Sequence, residues 1–435
     1  MPTNSKSPHI LLLNPWIHDF SAYDFWAKPL GLLIAAGWLE QAGCAIDYLD
    51  LTDPMSSHLP AALRPRRKPG GHGKFHREKI SRPAQLPDVN RKFCRYGLPP
   101  EAAVKALSAL DRPDFIFVTS MMTYWYTGVI ETIAMVKAHW PGVPVALGGV
   151  YATLCTEHAR IHSGADLVLP GPFENNLERV EAFIGCALPR MDPTEMLPAH
   201  RLIAGADSAA FLTSRGCPFD CVYCGVKKLY PHYVKYPMER VMREIRYLAL
   251  ELKIADQALF DDAFLLETER ALALLHEMAQ IGAPLRLHAA SGLSCKGITA
   301  EVARAMHGAG FTTIRLGLET ADQQRHTELG GKLRLDEFYA AVDNLLQAGY
   351  ASSEIGVYVM VGMPGQSRSE VEMTLNELSR LGLQPHLSEY SPVPGSPLFG
   401  EATKASRYDL SEPLCHNPTL LLCATSELSR KIILK

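Results

Sequence analysis

The chain has 435 residues, 47% hydrophobic and 20% charged, with a net charge of −3, a globular balance that points to neither a nucleic-acid nor a membrane partner. Its length exceeds one ordinary core, so two domains are expected. Ten cysteines, of which only three lie close together, argue against a secreted disulfide framework and for a reducing cytoplasm.

The N-terminus leads into a short apolar run, not a signal peptide, and the longest apolar helix candidate, Gly31 to Leu39, is far below the ~20 residues of a membrane span. His9 to Leu13 is a continuous apolar run closed by Asn14-Pro15, the pattern of a buried parallel strand. Pro29 to Gln41 reads as a helix with Leu30, Leu33, Ile34, Gly37 and Trp38 on one face, stopped by Gly43, and Ile46 to Asp50 reads as a second strand. Regular patterning is then lost from Thr52 to about Pro113. The basic residues Arg64, Arg66, Arg67, Lys68, Lys74, Arg77, Lys79 and Arg82 fall in this Pro/Gly-rich stretch. It reads either as a lid or phosphate-binding loop or as a solvated basic insertion.

Regularity returns with strands at Asp114–Val118, Val143–Leu147 and Ala165–Leu169. Helices follow at Thr127–His139 and from about Glu174. Five strands alternating with helices predict an α/β fold, a Rossmann-like doubly wound parallel sheet over residues 1–185, with the insertion at about 52–113. Ligands of such sheets bind beyond the carboxyl ends of the strands. The loops there carry Asn14, Ser120, Thr123, Gly148, Gly149, Tyr151, Gly171 and Glu174, small and polar residues that let a large flat ligand approach the backbone. Residues 186–207 hold Pro189, Pro193, Pro198 and Gly205 without periodicity and are expected to be a linker.

The stretch Thr213-Ser-Arg-Gly-Cys217-Pro-Phe-Asp-Cys221-Val-Tyr-Cys224-Gly follows the apolar pair Phe211-Leu212. Its three cysteines fall within one tight loop at a strand end, which suits an iron–sulfur cluster. The next cysteine is Cys295, so a [4Fe-4S] cluster would keep one iron open, as a catalytic metal site does and a structural one does not. A structural zinc loop is the competing reading.

Beyond this loop, Met238–Leu252 reads as a helix and Gln257–Phe260 as a strand ending in Asp261-Asp262. Three strand–helix pairs follow: Leu285–Ala290 with Thr299–Gly308, Thr313–Leu318 with Leu335–Ala348, and Ile355–Val361 with Ser367–Leu381. A last strand runs from about His386 to Ser391. Six strands counted from Phe211 predict a partial (β/α)6 TIM-type barrel over residues 208–400, followed by an extension over 401–435 expected to pack against it. Barrel chemistry sits at the carboxyl ends of strands, which here carry the cysteines, Asp261, Asp262, Ser291, Glu319 and Gly362. His288 and Arg315 lie within strands and face either the lumen or the helices. Cys295, Cys415 and Cys423 read as core residues.

The cysteine spacing, with Tyr223 before the third cysteine, resembles that of the radical S-adenosylmethionine (SAM) enzymes. The resemblance implies that the open iron chelates the amino and carboxylate groups of SAM and that electron transfer cleaves SAM to a 5′-deoxyadenosyl radical. It thereby implies a low-potential electron donor such as a ferredoxin or flavodoxin. It places Asp261 and Asp262 where the family holds the SAM amino group, Ser291 and Glu319 near the ribose or carboxylate, and the Gly362 turn near adenine. For Asp262 a helix N-terminal acid is the competing reading.

The N-terminal half is similar to the cobalamin-binding (B12) domain found in front of many radical SAM enzymes, on Ser120-x-x-Thr123, Leu147-Gly-Gly-x-Tyr151 and Gly171-Pro-Phe-Glu174. It lacks the Asp-x-His-x-x-Gly motif of many cobalamin proteins, so no histidine is named as a cobalt ligand. The expected function is a radical enzyme that uses cobalamin to methylate an unactivated carbon of an unknown substrate. The alternatives are a radical SAM enzyme without functional cobalamin, doing rearrangement, cyclisation or oxidation, and a non-enzymatic iron–sulfur carrier or binding protein.

Overall fold

The computed structural model describes residues 7–424, which form two compact units divided between Asp207 and Ser208. In the first unit, β1 (His9–Asn14), β2 (Ala45–Asp50), β3 (Phe115–Val118), β4 (Val145–Leu147) and β5 (Leu167–Val168) make one parallel sheet in the spatial order β5-β4-β3-β1-β2. The central strand β1 is paired on both sides, and Ile10 to Leu13 are at most 1% exposed. That is why the run is continuously apolar rather than alternating. Chain order reverses between β1 and β3, so the ends of these two strands, at Asn14 and Thr119, open the crevice in which sheets of this order hold ligands.

Helix α1 (Leu30–Gln41) is buried on nearly every side, from Leu32 through Leu39 with Ile34 only partly covered. It stops where Gly43 adopts φ +81° and the Cys44 N–H reaches back to the Leu39 carbonyl at 3.0 Å, a left-handed termination open to glycine. The second layer over α1 corrects the linker expectation. Residues 186–207 pack on this helix: Ala199 N–H donates to the Leu33 carbonyl at 2.9 Å, and a Cβ at Gly37 would strike the Leu197 carbonyl. Leu188, Met196 and Ala199 join the same core.

The basic insertion is also more ordered than its sequence suggests. Arg77–Lys79 and Ile17–Asp19 both pair antiparallel with Cys94–Tyr96, Arg67–Lys68 forms a hairpin with His72–Gly73, and Pro100–Ser108 is helical. Arg67 pins the hairpin by bonding Asp24 and Asp207, each at 2.6 Å, while Arg64, Arg66, Lys68, Lys74, Arg77, Lys79 and Arg82 stay exposed.

The second unit is a six-stranded parallel sheet in which sequence order is also spatial order: β6 (Ala209–Phe211), β7 (Asp256–Leu259), β8 (Arg286–Ala289), β9 (Phe311–Glu319), β10 (Ile355–Val361) and β11 (Gln384–Glu389). Helices Met238–Arg246, Thr268–Ala279, Ala300–Gly308, Leu335–Gln347 and Arg368–Arg380 connect the strands. Ile314, Leu316 and Leu318 of β9, Val357, Val359 and Val361 of β10, and Leu287 and Ala289 of β8 lie in the core under these helices. Strand alternation therefore turns His288, Arg315, Gly317, Gly356, Tyr358 and Met360 to the lumen. His288 is fixed there by Asp256 at 3.0 Å and Thr313 at 2.9 Å.

The described part of the extension packs on the same unit. Ser391 donates to the His416 carbonyl at 2.6 Å, Cys423 is buried against the Ala402 carbonyl, and Leu421 lies over Gly362. Residues 425–435 of the expected extension fall outside the described residues.

Candidate active site at the barrel mouth

The cysteine loop leaves β6 through a short antiparallel pairing of Ser214–Arg215 with Val234–Lys235. Gly216 has φ +80°, and a Cβ there would strike the His232 carbonyl, so glycine is required at this corner. The loop is gripped from two later segments: Val222 N–H donates to the Leu329 carbonyl at 3.2 Å, and the Val222 carbonyl accepts from Leu398 N–H at 2.9 Å.

The two acids after β7 have different surroundings. Asp261 is 4% exposed and accepts from Thr213 N–H, the Thr213 hydroxyl and the Ser214 hydroxyl, each at 2.6 Å. Burial nonetheless pushes its carboxyl up to about 6, the two hydroxyls working against that rise. It braces the base of the cysteine loop and is not among the cavity walls. Asp262 accepts from Gly216 N–H at 3.0 Å, and burial raises its carboxyl above the ordinary range.

A cavity of about 350 Å³ opens at the strand ends. Its walls bring together Cys217, Cys221, Cys224, Tyr223, Asp262, Ser291 and Glu319 from the sequence reading. Gly362 stands apart, beneath Leu421, with its N–H given to the Gln366 side chain at 2.7 Å. Lys332, Tyr358, Met360, Ser388 and Cys295 are further wall residues that motif spacing did not single out. Lys332 sits in a loop segment without periodicity, and only the alternation of β10 and β11 pointed to Tyr358, Met360 and Ser388.

Glu319 ends β9 with φ +65°, a left-handed backbone uncommon for a side chain other than glycine. Its carboxylate is 8% exposed and pairs with the Lys332 ammonium, while Tyr223 donates its hydroxyl to Oε1 at 2.9 Å. Burial, with the charges of Glu319 and Cys221, lifts the Tyr223 hydroxyl far above its ordinary value, so it stays protonated and can donate to Glu319. Burial works against the Lys332 ammonium, yet Glu319 and Cys221 outweigh it and hold the pKa above the ordinary lysine value.

The donor set fits an iron–sulfur cluster. The three cysteines line one cavity, as ligands to separate corners of a cluster would. Burial raises all three thiols, and the nearby Lys332 ammonium favours the thiolate at Cys221 and Cys224. The Cys217 thiol feels Cys221, Cys224 and Asp262, and Cys295, pushed up to about 12 by burial, lines the same cavity.

In the first unit the strand ends form a floor of small residues. The Ser120 hydroxyl donates to the Gly148 carbonyl at 2.8 Å and accepts from Tyr151 N–H at 3.1 Å. Gly149 has φ +90° and presses on the Ser120 backbone. Tyr151 is fully buried with its hydroxyl on His158 at 2.7 Å, Thr123 is buried, and the Asn14 amide is taken by Asp50 at 2.8 Å and Thr52 at 3.1 Å. Gly171, at φ +77°, has open space where a Cβ would stand, and Glu174 is partly exposed on the turn beyond it. With Asn14, Ser120 and Tyr151 spent internally, the floor fits a large cofactor such as cobalamin that is held by shape and by backbone groups.

Residues 211–378 match the model of the radical SAM superfamily, and residues 88–181 match that of the B12 binding domain. The chain therefore carries a radical SAM domain, with a B12-binding domain ahead of it. Among its relatives, an uncharacterized methyltransferase of Pyrococcus horikoshii is 27% identical over 208 residues, 47% of this chain and 44% of that protein. An uncharacterized methyltransferase of Synechocystis is 27% identical over 253 residues, 54% and 46%. The chain thus matches less than half the length of these relatives. The structure of the radical SAM methyltransferase TsrM from Kitasatospora setae superposes with a TM-score of 0.66 at 17% identity, covering 92% of this chain and 76% of that one. The cobalamin-dependent SAM radical enzyme OxsB gives 0.61 at 12% identity, covering 96% and 56%. Both share the fold.

Proposed function

We propose that the protein is a radical SAM enzyme that uses cobalamin to transfer a methyl group to an unactivated carbon. The observation that carries this reading is the single cavity in which three cysteines stand beside Asp262, Ser291 and Glu319. When bound, a [4Fe-4S] cluster supplies the electron that cleaves SAM, and cobalamin supplies the methyl carrier. Cys217, Cys221 and Cys224 would hold three corners of the cluster. Asp262, a carboxylate at the cavity edge with one oxygen on Gly216, suits the SAM ammonium.

The Glu319–Lys332–Tyr223 group fixes the opposite wall. Glu319 has one oxygen committed to both partners, which leaves the other to accept from a ribose hydroxyl, and Ser291 offers a second polar contact. Gly292 and Gly317 keep the floor free of side chains. In the first unit Ser120, Thr123, Gly148, Gly149 and Gly171 would line the cobalamin floor. The required electron comes from a low-potential donor such as a ferredoxin or flavodoxin.

The test is anaerobic reconstitution of the full chain. Iron–sulfur absorbance should vanish when Cys217, Cys221 and Cys224 are all changed to Ala, and SAM with a low-potential reductant should release 5′-deoxyadenosine. Failure to release it would favour an electron carrier, and failure to take up hydroxocobalamin would favour a radical enzyme without cobalamin.

A further inference from the structure

Below the cavity, the lumen holds a cation that no carboxylate of the described residues pairs with. Arg315 projects inward from β9 two residues before Gly317, a cavity-wall residue, which sets it roughly 6–7 Å deeper along the strand. Its Nη1 donates to the Ile314 carbonyl at 2.8 Å, and among the described residues no carboxylate pairs with it. The lysine of the cavity wall, Lys332, is matched by Glu319, and Arg286, half exposed at the start of β8, by Asp256. Burial holds the Arg315 guanidinium below its ordinary value, and burial together with Arg315 lowers His386. A half-buried charge left unpaired is costly.

The surroundings are built around this pair. A Cβ at Gly356 would fall 2.6 Å from Arg315 Nη1 and 2.7 Å from the His386 ring, so only glycine at 356 leaves room for both side chains. Tyr358 stands between them and the cavity, its ring 6.1 Å from that of His386 and its hydroxyl spent on the Ala290 carbonyl at 2.9 Å. A SAM carboxylate chelated by a cluster on the cysteine loop would sit at the carboxyl ends of the strands and would not account for a guanidinium inside the lumen.

We propose that Arg315, with His386 beside it, forms a subsite that holds a carboxylate of the substrate and so points the substrate's reacting carbon back toward the cavity. This rests on the radical SAM reading of the cavity above it. A planar guanidinium fork matches a carboxylate in two parallel bonds.

The test uses the cluster-loaded full chain under anaerobic conditions, with acetate and methyl phosphate as probes in saturation-transfer NMR. Acetate should bind the wild type, lose about tenfold in affinity in Arg315→Met, and recover partly in Arg315→Lys. Arg315→Met should also melt higher than wild type, because it removes an unpaired charge, whereas a structural guanidinium would make it melt lower. Acetate binding unchanged in Arg315→Met, no acetate binding to wild type, binding of methyl phosphate alone, or a lower melting temperature would each overturn the proposal. The 5′-deoxyadenosine assay is separate, so loss of the enzymatic reading and loss of this subsite give different results.

Discussion

Tyr223 donates its hydroxyl to Glu319 at 2.9 Å across 96 residues of sequence, and this bond ties the cysteine loop to the mouth of β9. It is made where Glu319 holds a left-handed backbone, a conformation that costs on the order of 1–3 kcal/mol and persists only when neighbours fix it. Tyr223→Phe should therefore keep its iron, lose about 1 kcal/mol of stability and raise the KM for SAM. Because burial keeps the Tyr223 hydroxyl protonated, the wild-type to variant difference should be flat between pH 6 and pH 9, read by denaturant melts at each pH.

Lys332 is the partner that makes a buried Glu319 tolerable. Lys332→Met leaves that carboxylate without a counter-charge, and a loss of about 3 kcal/mol is expected. The double variant Lys332→Met with Glu319→Gln should recover most of that loss. Chemical denaturation of the four proteins of this cycle checks it; a double variant as unstable as the sum of the singles would mean the pair is not coupled.

Asp261 and Asp262 should separate cleanly on substitution. Asp261→Ala removes the acceptor of three bonds beneath the cysteine loop and should cost about 3 kcal/mol and lower iron content. Asp262→Ala should keep its iron and lose SAM affinity, measured by equilibrium dialysis. A pH dependence goes with the first acid. Burial lifts the folded Asp261 to about 6, above the roughly 3.9 of an unfolded aspartate, so the native state binds its proton more tightly. This group's contribution to stability falls as pH rises from about 4 to about 6 and is constant above, and Asp261→Asn should abolish that slope.

On the proposed cobalamin floor, the two glycines of positive φ should behave differently. Gly149→Ala drives a methyl into the Ser120 backbone and should impair folding of the first unit. Gly171→Val has open space around it, so it should cost only about 1–2 kcal/mol for its left-handed backbone while blocking hydroxocobalamin uptake, followed by absorbance.

The central sheet strands were legible because they are buried on both faces: Ile355–Val361 has the same ends in sequence and structure, and β1 differs by one residue. What escaped was set by long-range pairing. Cys94–Tyr96 becomes a strand by pairing with Arg77–Lys79 and with Ile17–Asp19, the latter far away in the chain. Residues 186–207 lack periodicity because irregular backbone docks on α1, and the one local hint was a glycine at 37. Adjacent acids could not be told apart without knowing that Thr213 and Ser214 claim Asp261. The inward turn of Arg315 and His288 became certain only when their neighbours were found under the helices. Lys332 carries no motif at all, and its place depends on a loop returning to β9.

Whether three cysteines leave one iron open to SAM is read most directly by EPR of the reduced, cluster-loaded full chain with and without SAM. The expected result is a single [4Fe-4S] signal that is absent from the triple Cys-to-Ala variant and changes shape when SAM is added. A signal that SAM leaves unaltered, or one that survives loss of all three cysteines, would contradict it.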